Sequence, residues 1–253
     1  MIDTHCHLYS EEFKPDRDEM MQRAIASGIQ RFYMPAIDSS TTEAMLMIEN
    51  GYPGRCIAMI GLHPCSVNNN YPEELDHVEK WLFKKTFAAV GEIGLDFYWD
   101  KTFIDQQFIV FRRQAELALK YNLPIVIHSR NATSETIQVI KEFSGRNLKG
   151  IFHCFGGSIE EASQITDAGF SLGIGGIITY KNAGLAEVIS EIDIKHIVLE
   201  TDAPYLAPVP YRGKRNESSY LELIAKKISE VKNIPFEKVI EITTVNALNI
   251  FSL

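Results

Sequence analysis

The stretch Ile125-Val126-Ile127-His128-Ser129-Arg130 changes character half-way along. Three β-branched apolar residues in a row read as a strand buried on both faces, as in a parallel sheet covered by helices. The run then stops at a histidine and an arginine, so the strand delivers polar side chains at its C-terminal end. Ile197-Val198-Leu199-Glu200-Thr201-Asp202 repeats this arrangement with two carboxylates. In a barrel of parallel strands, active sites form at the mouth where such ends meet.

Further apolar runs occur on both sides of these two. Candidate strands cover 1–5, 31–36, 56–61, 88–92, 124–128, 150–153, 170–174 and 196–200. Helical spacing fills the gaps at 15–27, 40–49, 72–84, 104–121, 133–143, 159–168 and 185–191. A helical tail from 216 is interrupted near Pro235. Gly28 suits a helix C-cap and Ser39 an N-cap. Eight strands alternating with helices in a chain of about 250 residues predict one (β/α)8 TIM barrel domain, an α/β fold, over 1–253. An open doubly wound sheet would instead place a glycine-rich turn after its first strand. Here that turn is Asp3-Thr4-His5-Cys6-His7.

Composition agrees with a globular chain. Of 253 residues, 45% are hydrophobic and 23% charged, enough to bury a large core without staples. The net charge of −8 disfavours broad electrostatic binding of nucleic acid, leaving phosphate to a local basic patch or to bound cations. Cys6, Cys56, Cys65 and Cys154 form no Cys-x-x-Cys pair and read as reduced thiols, with Cys6 and Cys154 packed away from neighbouring histidines. There is no signal-peptide pattern, and no apolar run approaches the roughly 20 residues that span a bilayer. These features predict a cytoplasmic protein without a membrane partner.

The chemistry lies at the strand ends. His5 and His7 alternate along one strand and therefore share a face. Glu92, His128, His153 and Asp202 occupy the ends of the fourth, fifth, sixth and eighth strands, and His63 follows the third. Of the seven histidines only His77 and His196 fall elsewhere, on a helix and at the opposite rim. Four histidines and two carboxylates are too many ligands for one tetrahedral zinc and suit two cations that share a carboxylate. Glu92 is the natural bridge. His5, His7 and Asp202 would hold one ion, with His128 and His153 on the other.

These stretches resemble the TatD-related deoxyribonucleases, within the metal-dependent hydrolase barrels. The resemblance covers nearly the whole chain and rests on Asp3-Thr4-His5-Cys6-His7, Gly61-Leu62-His63-Pro64, Gly91-Glu92-Ile93-Gly94-Leu95-Asp96, His128-Ser129-Arg130, His153-Cys154-Phe155 and Glu200-Thr201-Asp202-Ala203-Pro204. A further family motif corresponds to Arg212-Gly213-Lys214-Arg215-Asn216-Glu217, which the family follows with proline and this chain with Ser218. The resemblance implies a phosphodiesterase with two divalent cations, typically Mg²⁺, acting on DNA and often as a 3′→5′ exonuclease. It implies the six ligands already named and active-site roles for His63 and Glu200. In related barrels that cut C–N bonds the fourth-strand ligand is often a modified lysine, so Glu92 favours the nuclease branch.

The catalytic set is then Glu92, Asp202, Glu200 and His63. A metal-activated water would attack phosphorus, with Asp202 or Glu200 taking its proton. His63, Arg130, Arg212, Lys214 and Arg215 are candidates for substrate phosphate, and Phe97-Tyr98-Trp99 for stacking on bases. Nitrogen-rich ligands suit Mn²⁺ or Zn²⁺ as well as Mg²⁺. The alternatives are a hydrolase of another phosphoester, amide or lactone, and a metal-stabilised binding protein without turnover. No obligate protein partner is implied, and a monomer is the default.

Overall fold

A computed structural model describes residues 1–251. Among them the strands are β1 (Ile2–Asp3), β2 (Arg31–Pro35), β3 (Cys56–Met59), β4 (Val90–Asp96), β5 (Ile125–Arg130), β6 (Gly150–Phe152), β7 (Ser171–Ile174) and β8 (Ile197–Leu199). Helices α1 (Arg17–Ala26), α2 (Thr42–Gly51), α3 (Tyr71–Lys84), α4 (Ile104–Tyr121), α5 (Thr133–Lys141), α6 (Ile159–Asp167) and α7 (Leu185–Glu191) each follow a strand. Two more, α8 (Leu221–Lys232) and α9 (Phe236–Ile250), end the chain, divided where Pro235 caps α9.

Strands β1 to β3 and β4 to β8 form two parallel runs in sequence order. Two seams join them. At the first, Ile60 bridges Val90, and the Gly91 N–H donates to the Ile60 carbonyl at 2.8 Å. At the second, Thr4 N–H donates to Leu199 O at 3.0 Å, Asp202 N–H to His5 O at 2.9 Å and His7 N–H to Ala203 O at 2.7 Å. The ring is therefore the expected (β/α)8 barrel, and its first and last strands meet beside His5 and Asp202.

Period-two alternation explains why the interior is apolar below and polar above. Val126, Ile151 and Val198 pack in one interior cluster, and two residues further along each strand come His128, His153 and Glu200. The lower opening is filled by the end of α9 and by Phe251, which follows it and whose ring stacks on Tyr33 with centroids 3.9 Å apart. Only the upper mouth remains for chemistry.

Two strands run further than their composition predicts. β4 continues to Asp96 and β5 to Arg130, because they stay paired through Gly94↔His128 and Asp96↔Arg130. Glu92 and His128 thus lie inside strands, not at their ends. The register shifts between Gly91 and Ile93, so Glu92 is the extra, bulged residue, and its N–H reaches across to Ala36 O at 3.2 Å. A bulge of this kind re-aims one side chain without ending the ladder. Gly94 is needed here: its φ is +139°, and a Cβ would collide with the His128 carbonyl. The entry to α2 also differs. Ser39 begins a 3-10 turn over Ser39–Thr41 that leads into α2, and Asp38 caps that turn, accepting from the Ser40 N–H at 3.0 Å. Gly28, at φ +92°, ends the first helical segment as expected.

Asp3 ties the second seam together. It is fully buried, with Oδ1 accepting the Thr201 N–H at 3.0 Å and Oδ2 the Thr201 hydroxyl at 2.6 Å. Burial pushes its carboxyl up to about 7 from 3.8, against the opposing pull of the Thr201 bonds. Between those two values the unfolded chain gives up a proton that the folded chain keeps, so folding weakens as pH rises through that window. Replacing Asp3 removes this slope. With chelator present, the stability of Asp3→Asn relative to the parent should rise by up to roughly 1.4 kcal/mol per pH unit between pH 4 and 7 and level off above. Urea unfolding at a series of pH values measures it, and a difference that is flat across the window refutes it.

Candidate metal centre

Glu92 stands at the centre of the mouth, 2% exposed, with five imidazoles from four loops or strands converging on it. Its Oε2 lies 3.1 Å from His5 Nε2 and 3.7 Å from His7 Nε2. Its Oε1 lies 2.9 Å from His128 Nδ1, 2.9 Å from His153 Nε2 and 3.3 Å from His63 Nε2. Burial opposes charge on this carboxyl, but His153, His63 and His5 hold it well below the ordinary carboxylate range. Asp202 completes the ring, with Oδ1 3.7 Å from His5 Nε2 and 3.6 Å from His7 Nε2.

Hydrogen bonds behind the imidazoles settle which nitrogen faces inward. Tyr9 donates its hydroxyl to Pro35 O at 2.7 Å, so its lone pair takes the proton of His7 Nδ1 at 2.9 Å. His7 is left with a bare Nε2 toward Glu92 and Asp202. His128 is held from behind by Asp96, whose Oδ2 is 2.9 Å from Nε2, leaving Nδ1 for the centre. Asp96 and Glu92 together raise His128 above its usual value against the effect of burial. His153 has Glu200 behind it at an ion-pair distance, Nδ1 3.4 Å from Oε1, without a hydrogen bond. His63 is the exception. The Cys65 N–H donates to its Nδ1 at 3.0 Å, so Nε2 keeps the hydrogen and points it at Glu92. Burial lowers the pKa of His63, which keeps the ring neutral. It faces the mouth as a donor, not as a lone pair.

Some buried groups have no hydrogen-bond partner. His5 is fully enclosed, and neither of its ring nitrogens makes a hydrogen bond. Its ring lies flat on that of His153, centroids 3.7 Å apart. Burying an imidazole without partners is unfavourable, and its Nε2 looks at carboxylate oxygens that also lack hydrogens. A shared cation would satisfy both. Potential ligand atoms lie within 4.8 Å of one another in three sets: His5, His7 and Glu92; His5, His153 and Asp202; His63, Glu92 and His128. The donor set fits divalent cations. The grouping differs from the sequence expectation in two respects: His153 falls with His5 and Asp202 across the narrow barrel, and His63, whose Nε2 carries a hydrogen there, falls in its place beside Glu92 and His128.

Over residues 2–252 the chain matches the family described as TatD related DNase. It is a member of that family. A Bacillus subtilis protein named as an uncharacterized metal-dependent hydrolase, YabD, is 40% identical over 255 residues, covering 100% of this chain and 99% of its own. A Danio rerio protein named as a candidate deoxyribonuclease, tatdn3, is 32% identical over 262 residues, covering 99% of this chain and 97% of its own. The crystal structure of the TatD homologue YjjV from Escherichia coli superposes with a TM-score of 0.94 at 27% identity, covering 100% of this chain and 98% of that one.

Around the mouth of this TatD-related chain the basic residues divide. Arg215 is committed elsewhere: its guanidinium pairs with both oxygens of Asp16, at 2.6 and 2.8 Å, and with Glu12 O at 2.7 Å. It anchors the loop after β8 to the segment before α1, beside the Arg23–Glu217 pair at 2.7 Å, and is not free for substrate. Arg212 is exposed, with its guanidinium 4.5 Å from the Tyr180 ring centre, and Lys214 is exposed next to it. Arg130 is exposed over the Tyr98 ring. Glu200 is wholly enclosed, accepting the Cys154 N–H at 2.5 Å, and Gly173 leaves room for it where any Cβ would strike its Oε2. His77 bonds Thr42 on the barrel's outside, and His196 lies at the opposite rim.

Asp96 is the residue that sequence reasoning passed over. The signal was present, because Glu92, Gly94 and Asp96 alternate along one strand and so share a face. Its Oδ2 holds His128, and its Oδ1 accepts the Tyr98 and Trp99 N–H groups at 2.9 and 3.0 Å. Burial opposes its charge, but these bonds hold the carboxyl well below its ordinary value. In chelator, Asp96→Ala should lose about 2 kcal/mol of stability, the scale of charge-assisted hydrogen bonds. Amide exchange should speed up at Tyr98 and Trp99 and stay unchanged in β8. Equal exchange rates at both places in variant and parent count against this role.

Proposed function

We propose that this chain is a divalent-metal-dependent phosphodiesterase that cleaves DNA, working as a 3′→5′ exonuclease. One observation carries the reading: a buried glutamate whose two oxygens face separate groups of imidazoles, beside a buried histidine that lacks any hydrogen-bond partner. That arrangement suits two cations sharing Glu92. His5, His7 and Asp202 would hold one, and His128 with His153 the other. Bound cations supply a water of lowered pKa and positive charge for the phosphoryl oxygens. The family and the relatives' names support a nucleic-acid phosphodiester as substrate.

The chain's own residues divide the remaining work. Asp202 faces the cluster and accepts the proton of the attacking water. Glu200 is too enclosed for that role and keeps His153 oriented, as Asp96 does His128. His63 presents its Nε2–H to a phosphoryl oxygen, where charge grows in the transition state. The nitrogen-rich donor set favours Mn²⁺ or Zn²⁺ on chemical grounds and also accommodates Mg²⁺.

Purified protein with Mg²⁺ or Mn²⁺ should shorten single-stranded DNA from the 3′ end, releasing a 3′ label as mononucleotide before a 5′-labelled strand loses length. Glu92→Gln should lower the rate more than about a hundredfold, beyond the usual effect of removing a group that only supports a ligand. Intact DNA alongside turnover of another ester overturns the reading. Metal binding has a separate readout. At a hundredfold excess over Kd, cations should stabilise the parent by about 2.7 kcal/mol in thermal unfolding, and Glu92→Gln by much less. Equal shifts in both proteins exclude Glu92 as a ligand.

A further inference from the structure

Two exposed aromatics stand beside the metal centre without a structural task. Tyr98 is 49% exposed and Trp99 66%, and their rings meet edge to face, centroids 4.9 Å apart. The Arg130 guanidinium lies 3.9 Å from the Tyr98 ring centre and 5.3 Å from that of Trp99. Among the described residues it forms no ion pair, so a full positive charge rests on an aromatic surface with no carboxylate to neutralise it. Stacking of this kind holds a guanidinium flat and leaves its N–H edge free for an anion.

The group is fixed relative to the centre. Arg130 follows His128 by two residues on β5, so their side chains leave the strand on the same side, roughly 7 Å apart. Asp96 grips His128 with one oxygen and the Tyr98 and Trp99 N–H groups with the other. Phe97 binds its N–H to Arg130 O at 2.9 Å and packs near Phe108, which holds the loop from below. One carboxylate therefore sets both a proposed metal ligand and the aromatic pair.

We propose that Tyr98, Trp99 and Arg130 form a subsite that stacks one unpaired base beside the phosphodiester to be cut and holds that nucleotide's phosphate. This rests on the nuclease reading above. The whole-chain charge of −8 makes the case stronger, because a strand cannot be held here by many phosphate contacts. A π face contributes affinity that salt does not screen and that every base can supply. Bases in a duplex are already stacked and paired, so the subsite selects single strands or frayed ends.

Trp99 and Trp81 are the two tryptophans of the chain, and Trp81 lies on α3 against Phe87. A Trp81→Phe protein thus reports on Trp99 alone. In EDTA, where no cleavage occurs, oligothymidylate should quench its fluorescence, and an abasic strand of equal length should not. The affinity should fall only shallowly with salt. With Mn²⁺, Trp99→Ala should lose about tenfold in kcat/KM on oligothymidylate, mainly through KM, and most of the parent's preference for it over the abasic strand. Trp99→Phe should recover most of both.

If the parent cleaves DNA yet Trp99→Ala keeps that preference, the subsite is wrong and the nuclease reading stands. Base-dependent quenching without any DNA cleavage would leave the subsite in place and remove the nuclease. Quenching that is absent, or equal for the abasic strand, overturns the subsite whatever the cleavage result.

Discussion

A single buried carboxylate, Glu92, sets the terms for the upper half of this barrel. A charge with 2% exposure is tolerated only where positive charge or hydrogen-bond donors surround it. The chain meets that requirement with five histidines from four separate segments, all within 3.7 Å. Nothing apolar could replace one of them without leaving a charge uncompensated. The alternation of strands, the bulge at Glu92 and the glycines at 94 and 173 all serve to bring these groups together.

Outer carboxylates make the convergence usable. An imidazole has two nitrogens, and a ligand must present the correct one. Tyr9 settles this for His7 and Asp96 for His128 by hydrogen bonds from the side away from the centre, and Glu200 lies behind His153 at 3.4 Å. Glu200 and Asp202 illustrate how one strand end serves two purposes. They are two residues apart, yet the first is enclosed behind His153 and the second opens onto the cluster, where the backbone at Asp202 turns to a φ of +56°. His63 shows the reverse logic: a backbone N–H occupies its lone pair, so it can only donate.

Electrostatics at the rim is economical. Of the basic cluster after β8, Arg215 and the nearby Arg23 are tied to Asp16 and Glu217, and they hold the last barrel loop against the first helix. The positive charge left for a polyanion comes from Arg130, Arg212 and Lys214, two of them resting on tyrosine rings. Under the proposed nuclease reading, an acidic protein would handle nucleic acid this way, with cations and a few placed guanidinium groups acting over a short range.

Much of this was legible in residue order. Apolar runs that end in histidine or carboxylate determined the strand count, the barrel and the six side chains aimed at its mouth. The physical reason is local, since alternation along a strand fixes which residues share a face. Other features are matters of distance between segments remote in sequence. Only the tertiary structure decided that β4 continues past Glu92 with a bulge, because the pairing partner, β5, lies more than thirty residues away. It also decided that Arg215 is consumed by Asp16, that His153 stacks on His5, and that Asp96 links His128 to an exposed aromatic pair. A sequence shows which groups a strand can present, but their partners depend on how the ring closes, and closure is set by the packing of the whole chain.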